Sequence, residues 1–161
     1  MTIESKKNEL NAYILKAYED NDINNVRKTL EAICKIIILN EFGESEGLKI
    51  ILDKSDAKIR GYSLESAIES IIFNNNSTPA LVNNNKIRNN FKFIQAQSNV
   101  GSHDDYVKLN SSDKLIIFIH LNTVLEWFYS QYLGEEIDSL IQVSIKNIHK
   151  NFEIHNIKDN N

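Results

Sequence analysis

The chain has 161 residues, 42% hydrophobic and 25% charged, with a formal net charge of −4. That size and balance suit one domain with a sizeable core rather than a disordered chain. The acidic surplus argues against a surface that coats nucleic-acid phosphates throughout. One proline and five glycines leave few enforced breaks, which favours long helices and an all-α fold.

In chain order, Leu10, Ile14 and Ala17 fall on one stripe, flanked by Tyr13 and Tyr18, and predict an amphipathic helix over Ile3 to Glu19. Asp22 is a natural N-cap for a second helix, Ile23 to Phe42, ending near Gly43. Val26, Leu30, Ile33 and Ile37 recur at helical spacing there, and Cys34 and Ile38 widen the stripe until the last turns are apolar nearly all round. The run "IIIL" is β-branched enough to suit a strand as well. Residues 44–62 are mixed, with Leu48, Ile50, Ile51 and Leu52 suggesting a short helix.

Ser63 caps "LESAIESIIF", and the asparagines at 74–76 end it. Pro79 suits the first turn of the next helix, capped by Ser77 or Thr78 and carrying Leu81, Ile87, Phe91 and Ile94 toward Asn99. A polar loop, 98–113, leads to "KLIIFIHLNTVLEWFYSQYL", a second buried helix closed by Gly134. The chain thus divides into a helical domain, 1–134, and a C-terminal extension, 135–161. The extension keeps a weak stripe of Ile137, Leu140, Ile141, Ile145, Ile148 and Phe152.

The opening residues lack the apolar core of a signal peptide, and no run approaches the roughly 20 apolar residues of a membrane span, so a cytoplasmic protein without a membrane partner is expected. Cys34 is the single cysteine, set in an apolar helix as a small buried hydrophobe, which excludes an internal disulfide. His103, His120, His149 and His155 form no close pair suited to a metal, and no glycine-rich phosphate loop is present, so neither metal nor cofactor is expected. "HDD" at 103–105 is similar to the start of a His-Asp phosphohydrolase motif, but that chemistry needs an upstream histidine and His103 is the first in the chain.

Asn99 and His103 are four residues apart. On a continuing helix they share a face, where an amide orients phosphate and an imidazole moves a proton near neutral pH, the minimum for RNA cleavage by 2′-hydroxyl attack. The structural alternative makes Asn99 a C-terminal cap, Gly101 the terminator and His103 a charge on the helix end. Arg27 and Glu31 are likewise i, i+4 neighbours, forming either an ordinary surface pair or a pair that faces the polar loop and supplies a cation there.

Two segments together carry a family resemblance. "NDINNVRKTLEAICK" (Asn21 to Lys35) resembles the second-helix signature of HEPN-like domains of the restriction- and abortive-infection-associated type, with an Arg-Lys-x-Leu-Glu run opening a buried helix. "FIQAQSNVGSHDD" (Phe93 to Asp105) resembles their later signature, an isoleucine-arginine pair followed by Gly-Asn, small residues and a histidine. The resemblance spans roughly Ala17 to Gly134 and implies an up-down helical bundle that forms a homodimer or meets a protein partner in an anti-phage system.

Catalytic members of that family are metal-independent ribonucleases using an arginine, the polar residue after it, and a histidine four further on. Carried onto this chain, the polar residue is Asn99 and the histidine His103, with Arg27, Glu31 and Gln95 in support. Serine occupies the arginine position, Ser98, and Gln95 stands where the restriction-associated branch has its arginine. The resemblance therefore implies a catalytically degenerate interaction module. Its alternative is an active RNA-cleaving toxin in which Arg27 replaces the missing cation.

Overall fold

The computed structural model describes residues 1–52, 62–74, 80–103 and 109–159; for 100–103 and 155–159 the description is of the backbone. Among the described residues the protein is all-α, a helical bundle without strands. The helices are α1 (Ile3–Asp20), α2 (Ile23–Phe42), α3 (Glu44–Leu52), α4 (Leu64–Ser66), α5 (Asn85–His103), α6 (Ser111–Glu126) and α7 (Ser139–Asp159). Two run on as π-helix: α4 through Ala67–Ile72 and α6 through Trp127–Leu133.

Local chemistry fixes the helix starts. Thr2 accepts from the Ser5 amide while the Ser5 side chain takes the Thr2 amide, a reciprocal capping box. Asp22 accepts from Asn24 N–H, Ser63 from Ser66 N–H, and Asn110 makes a second capping box with Asp113. The ends follow left-handed residues: Asn21 at φ +51° closes α1, and Gly134 at φ +65° closes the π-helical turns after α6. The "IIIL" run is helical, and all four of its residues, Ile36 to Leu39, are fully buried.

The fifth helix departs from expectation at both ends. The proposed caps Ser77 and Thr78, with Pro79, lie outside the described residues, and Leu81 precedes the helix rather than joining it. Asn84 starts α5 instead, its side-chain oxygen accepting from Ile87 N–H at 3.1 Å. At the other end α5 does not stop at Asn99 but continues through Gly101 to His103, and α6 already begins at Ser111, so both helices extend into the stretch expected to be a polar loop.

α2 lies in the middle. Its partners are α1 along one side, α3 and α5 on others, and α6 over a smaller area. Cys34 is fully buried there, which pushes its thiol pKa up. α6 pairs with α5 and α7. The first half of α7 docks through Ile141 and Ile145, both buried, with Ile137 and Ile148 packed alongside, whereas Leu140, expected on that stripe, is 62% exposed. A polar link reinforces this docking: Tyr18 of α1 hydrogen-bonds the Asn122 side-chain oxygen, and the Asn122 amide donates to the Ile145 carbonyl at 3.4 Å. No helix among the described residues is long and apolar enough to cross a membrane.

The α2–α3 corner sets a steric limit. A Cβ added at Gly47 would lie 2.9 Å from Leu39 Cα and 3.0 Å from the Ile38 carbonyl oxygen. Both are backbone atoms of a buried helix that cannot swing aside, so Gly47→Ala should destabilise the protein by about 1–3 kcal/mol through overpacking, despite alanine's better helix propensity. Urea unfolding checks this; an unchanged midpoint would mean that α3 moves off α2 without cost.

Candidate functional site

Arg27, Glu31 and Asn99, three of the residues singled out in sequence, meet where the first turns of α2 pass the end of α5. Arg27 is the hub. Its Nε donates to Glu31 Oε1 at 3.2 Å, one turn on along α2, and its Nη1 donates to Asn99 Oδ1 at 2.8 Å, across to α5. Arg27 and Glu31 thus form an i, i+4 ion pair, and Arg27 also contacts Asn99 across the two helices. The side chains are partly exposed, 26% for Arg27 and 30% for Glu31, so the ion pair alone is worth only a few tenths of a kcal/mol.

α5 carries Asn99 and His103 one turn apart on one continuous helix, so Asn99 is not a helix terminator. The side chain of His103 lies outside the described residues, and so do Asp104 and Asp105. Gln95 sits one turn before Asn99, half-buried. Ser98 is fully buried and its hydroxyl donates to the Gln95 carbonyl at 3.3 Å, inside its own helix. It faces away from Asn99, which is exposed. Arg88 is occupied elsewhere, pairing with Glu69 at 2.8 Å.

Sequence reasoning did not find Tyr62. Its hydroxyl donates to the Glu31 carbonyl at 3.1 Å, and Lys35 lies over its ring at 5.0 Å. Burial, with Cys34 and Glu31 adding to it, drives its pKa well above the ordinary phenol value, so it stays a neutral donor. Nothing in the local pattern signals this contact, because Tyr62 lies 31 positions from Glu31 and meets α2 only through tertiary packing.

The remaining described histidines lie apart from this cluster. His120 of α6 stacks on Phe93 of α5 with ring centroids 4.1 Å apart, and its Nδ1 is 2.7 Å from Asn90 Oδ1. The Asn90 amide nitrogen donates to the Lys86 carbonyl at 2.8 Å, which leaves its oxygen to accept; this assigns the proton of neutral His120 to Nδ1. His149 lies 3.9 Å from Glu126 on the exposed side of α7. Among the described residues no group of histidine, cysteine and carboxylate side chains is gathered closely enough to hold a metal.

Compared with protein-family models, with curated proteins and with solved structures, the chain matches none of them. The site therefore rests on its own geometry.

Two measurements probe that geometry. If the Arg27–Asn99 bond ties α2 to α5, a double-mutant cycle of Arg27→Met and Asn99→Ala in urea should give a coupling energy of about 0.5–1.5 kcal/mol. Strict additivity would show that the bond does not hold in solution. For His120, burial lowers the folded pKa below 6.5, so the unfolded chain takes up the proton first. Its contribution is then present above pH 6.5 and lost as pH falls through the lowered folded value. Unfolding between pH 7 and 5 should show stability dropping with acid, less steeply in His120→Phe; equal slopes would dismiss the assignment.

Proposed function

We propose that the chain is a HEPN-like helical interaction module, pairing with a second copy or with a protein of an anti-phage system, in which the former RNA-cleaving site serves as a structural tie. One observation carries this reading: Arg27, the cation beside the motif, is bonded to both Glu31 and Asn99. Cleavage by 2′-hydroxyl attack builds negative charge on the phosphorane, and its stabilisation needs a fixed positive charge aimed at those oxygens. A guanidinium already neutralised by a carboxylate at 3.2 Å supplies much less of it. Buried Ser98 and neutral Gln95, at the two family arginine positions, supply none. Leu140 and Val143, exposed one turn apart on α7, are consistent with a surface made for contact.

A second reading is favoured by the same 2.8 Å contact. The arginine absent from the motif is replaced in space by Arg27, delivered from α2 to Asn99 one turn before His103. In that case the protein is a metal-independent endoribonuclease: His103 takes the 2′-hydroxyl proton, Asn99 orients the phosphate, and Arg27 stabilises the phosphorane once substrate displaces Glu31.

Digestion of structured and unstructured RNA in chelator separates the two. The module leaves RNA intact, sediments as a species heavier than the monomer, and loses thermal stability on Asn99→Ala. Cleavage that survives chelation and disappears in Asn99→Ala, His103→Ala and Arg27→Ala would instead establish the ribonuclease. An unreactive protein that stays monomeric at high micromolar concentration, with no heavier species, would remove the self-pairing form of the module.

A further inference from the structure

We propose that the groove between α1 and α2 is an anion site for the diphosphate group of a small organic ligand. The groove encloses about 170 Å³ and is lined by Lys6, Glu9 and Tyr13 of α1 and by Lys28, Glu31 and Lys35 of α2. Three lysines therefore face two carboxylates, in a protein whose overall balance is acidic.

The pairing of those charges makes the groove positive. Glu9 is taken by Lys6 at 2.7 Å. Glu31 stands between two cations of its own helix, Arg27 at i−4 and Lys35 at i+4, and pairs with Arg27 at 3.2 Å. Lys28 and Lys35 consequently have no carboxylate within ion-pair distance among the described residues. Each instead lies over a tyrosine ring, Lys28 above Tyr13 at 5.8 Å and Lys35 above Tyr62 at 5.0 Å. A ring face holds an ammonium without cancelling its charge, so both cations remain available to an incoming anion.

Spacing and size select the ligand class. Lys28 and Lys35 are seven residues apart, two turns or about 10 Å along the helix, so an anion with two linked phosphates reaches toward both ammoniums better than a single tetrahedral ion. The volume falls below the roughly 300–1,000 Å³ of sites that enclose a drug-sized molecule, so the anionic head enters and the organic remainder lies outside. The site goes beyond the interaction-module reading and does not depend on RNA cleavage.

Isothermal titration calorimetry of the full chain with inorganic pyrophosphate, in low salt at neutral pH, tests it. Saturable one-to-one binding that weakens with added salt is expected. Lys28→Gln and Lys35→Gln should each weaken it about tenfold, the loss of one charge-assisted contact. Glu9→Gln should tighten it, because Lys6 then loses its neutralising partner. Lys49→Gln, paired with Glu46 on the exposed side of α3, should leave it unchanged. Lys28 is exposed, so its substitution leaves the core intact and the comparison readable. The proposal is overturned by absence of saturable binding, by unchanged affinity in both groove-lysine variants, or by an equal loss in Lys49→Gln. Sulfate binding as tightly as pyrophosphate at matched ionic strength would overturn the diphosphate assignment.

Discussion

The covering of α2 is the constraint on which the rest of the structure depends. Eleven of its twenty residues are buried, and from Ile33 to Leu39 only Lys35 keeps a polar side chain in the sequence. A helix apolar on nearly every side cannot rest on one layer; it needs neighbours around its whole girth. α1, α3, α5 and α6 provide them, and even Thr29, buried within the contact, turns its hydroxyl to the Asn25 carbonyl at 2.7 Å rather than leave it unpaired. Between Val26 and Leu39, what escapes burial is a narrow stripe of Arg27, Lys28, Glu31 and Lys35. Both the Asn99 cluster and the α1–α2 groove are built on that stripe, so polar chemistry sits where the core cannot close.

Apolar burial alone leaves the order of helices around α2 loosely specified, since one aliphatic face packs about as well as another. Directed polar contacts at the bundle's seams select the arrangement. Tyr18, Asn122 and the Ile145 carbonyl join α1, α6 and α7; Tyr129 donates to Asn11 at 3.0 Å; Tyr132 donates to Glu41 at 2.8 Å and accepts from Asn40 at 3.1 Å. The cost of displacing a helix is greatest at Asn122, which is fully buried, because a buried polar group left alone loses about 1–3 kcal/mol. Burial accordingly pushes the Tyr129 hydroxyl up to about 12, with Glu135 and Asp138 adding to the shift, and keeps it a hydrogen-bond donor across the physiological range. The π-helical turns supply the geometry: the wider register through Trp127–Leu133 brings Trp127, Phe128 and Tyr132 into mutual ring contact.

The parts of this architecture written in short-range pattern were legible in the sequence. Asp22 and Ser63 are caps as expected, Gly43 and Gly134 are stops, and the α2 stripe is buried throughout, because each depends on residues within one or two turns. The start of α5 was misread because Pro79 is the stronger local signal, whereas Asn84 is one of three identical neighbours and only its bond to Ile87 N–H distinguishes it. Its end was misread because Gly101 is permissive rather than compulsory as a helix stop. The π-helical register leaves no trace in residue type. At the site, Asn99 and His103 were visible as an i, i+4 pair and Arg27 with Glu31 as another, but Arg27 and Asn99 are 72 positions apart, and no periodicity encodes a contact of that range.

One carboxylate links the Asn99 cluster to the α1–α2 groove. Glu31 has a cation one turn to either side, and a helix presents it with near-equal opportunities to pair with Arg27 or with Lys35. The hydrogen bond from Arg27 to Asn99 breaks that tie, because it holds the guanidinium over the end of α5, where its Nε still reaches Glu31. The consequence lies two turns away: with its natural acid engaged, Lys35 stays over the Tyr62 ring and the groove keeps its positive charge. Tyr62 joins the two, since the same residue that carries Lys35 on its ring donates its hydroxyl to the Glu31 backbone. Any ligand that draws Arg27 away from Glu31 returns an acid to Lys35, and any anion that occupies Lys35 leaves Glu31 to Arg27. By the reciprocity of linked equilibria, the two events oppose each other to the same degree in whichever order they occur.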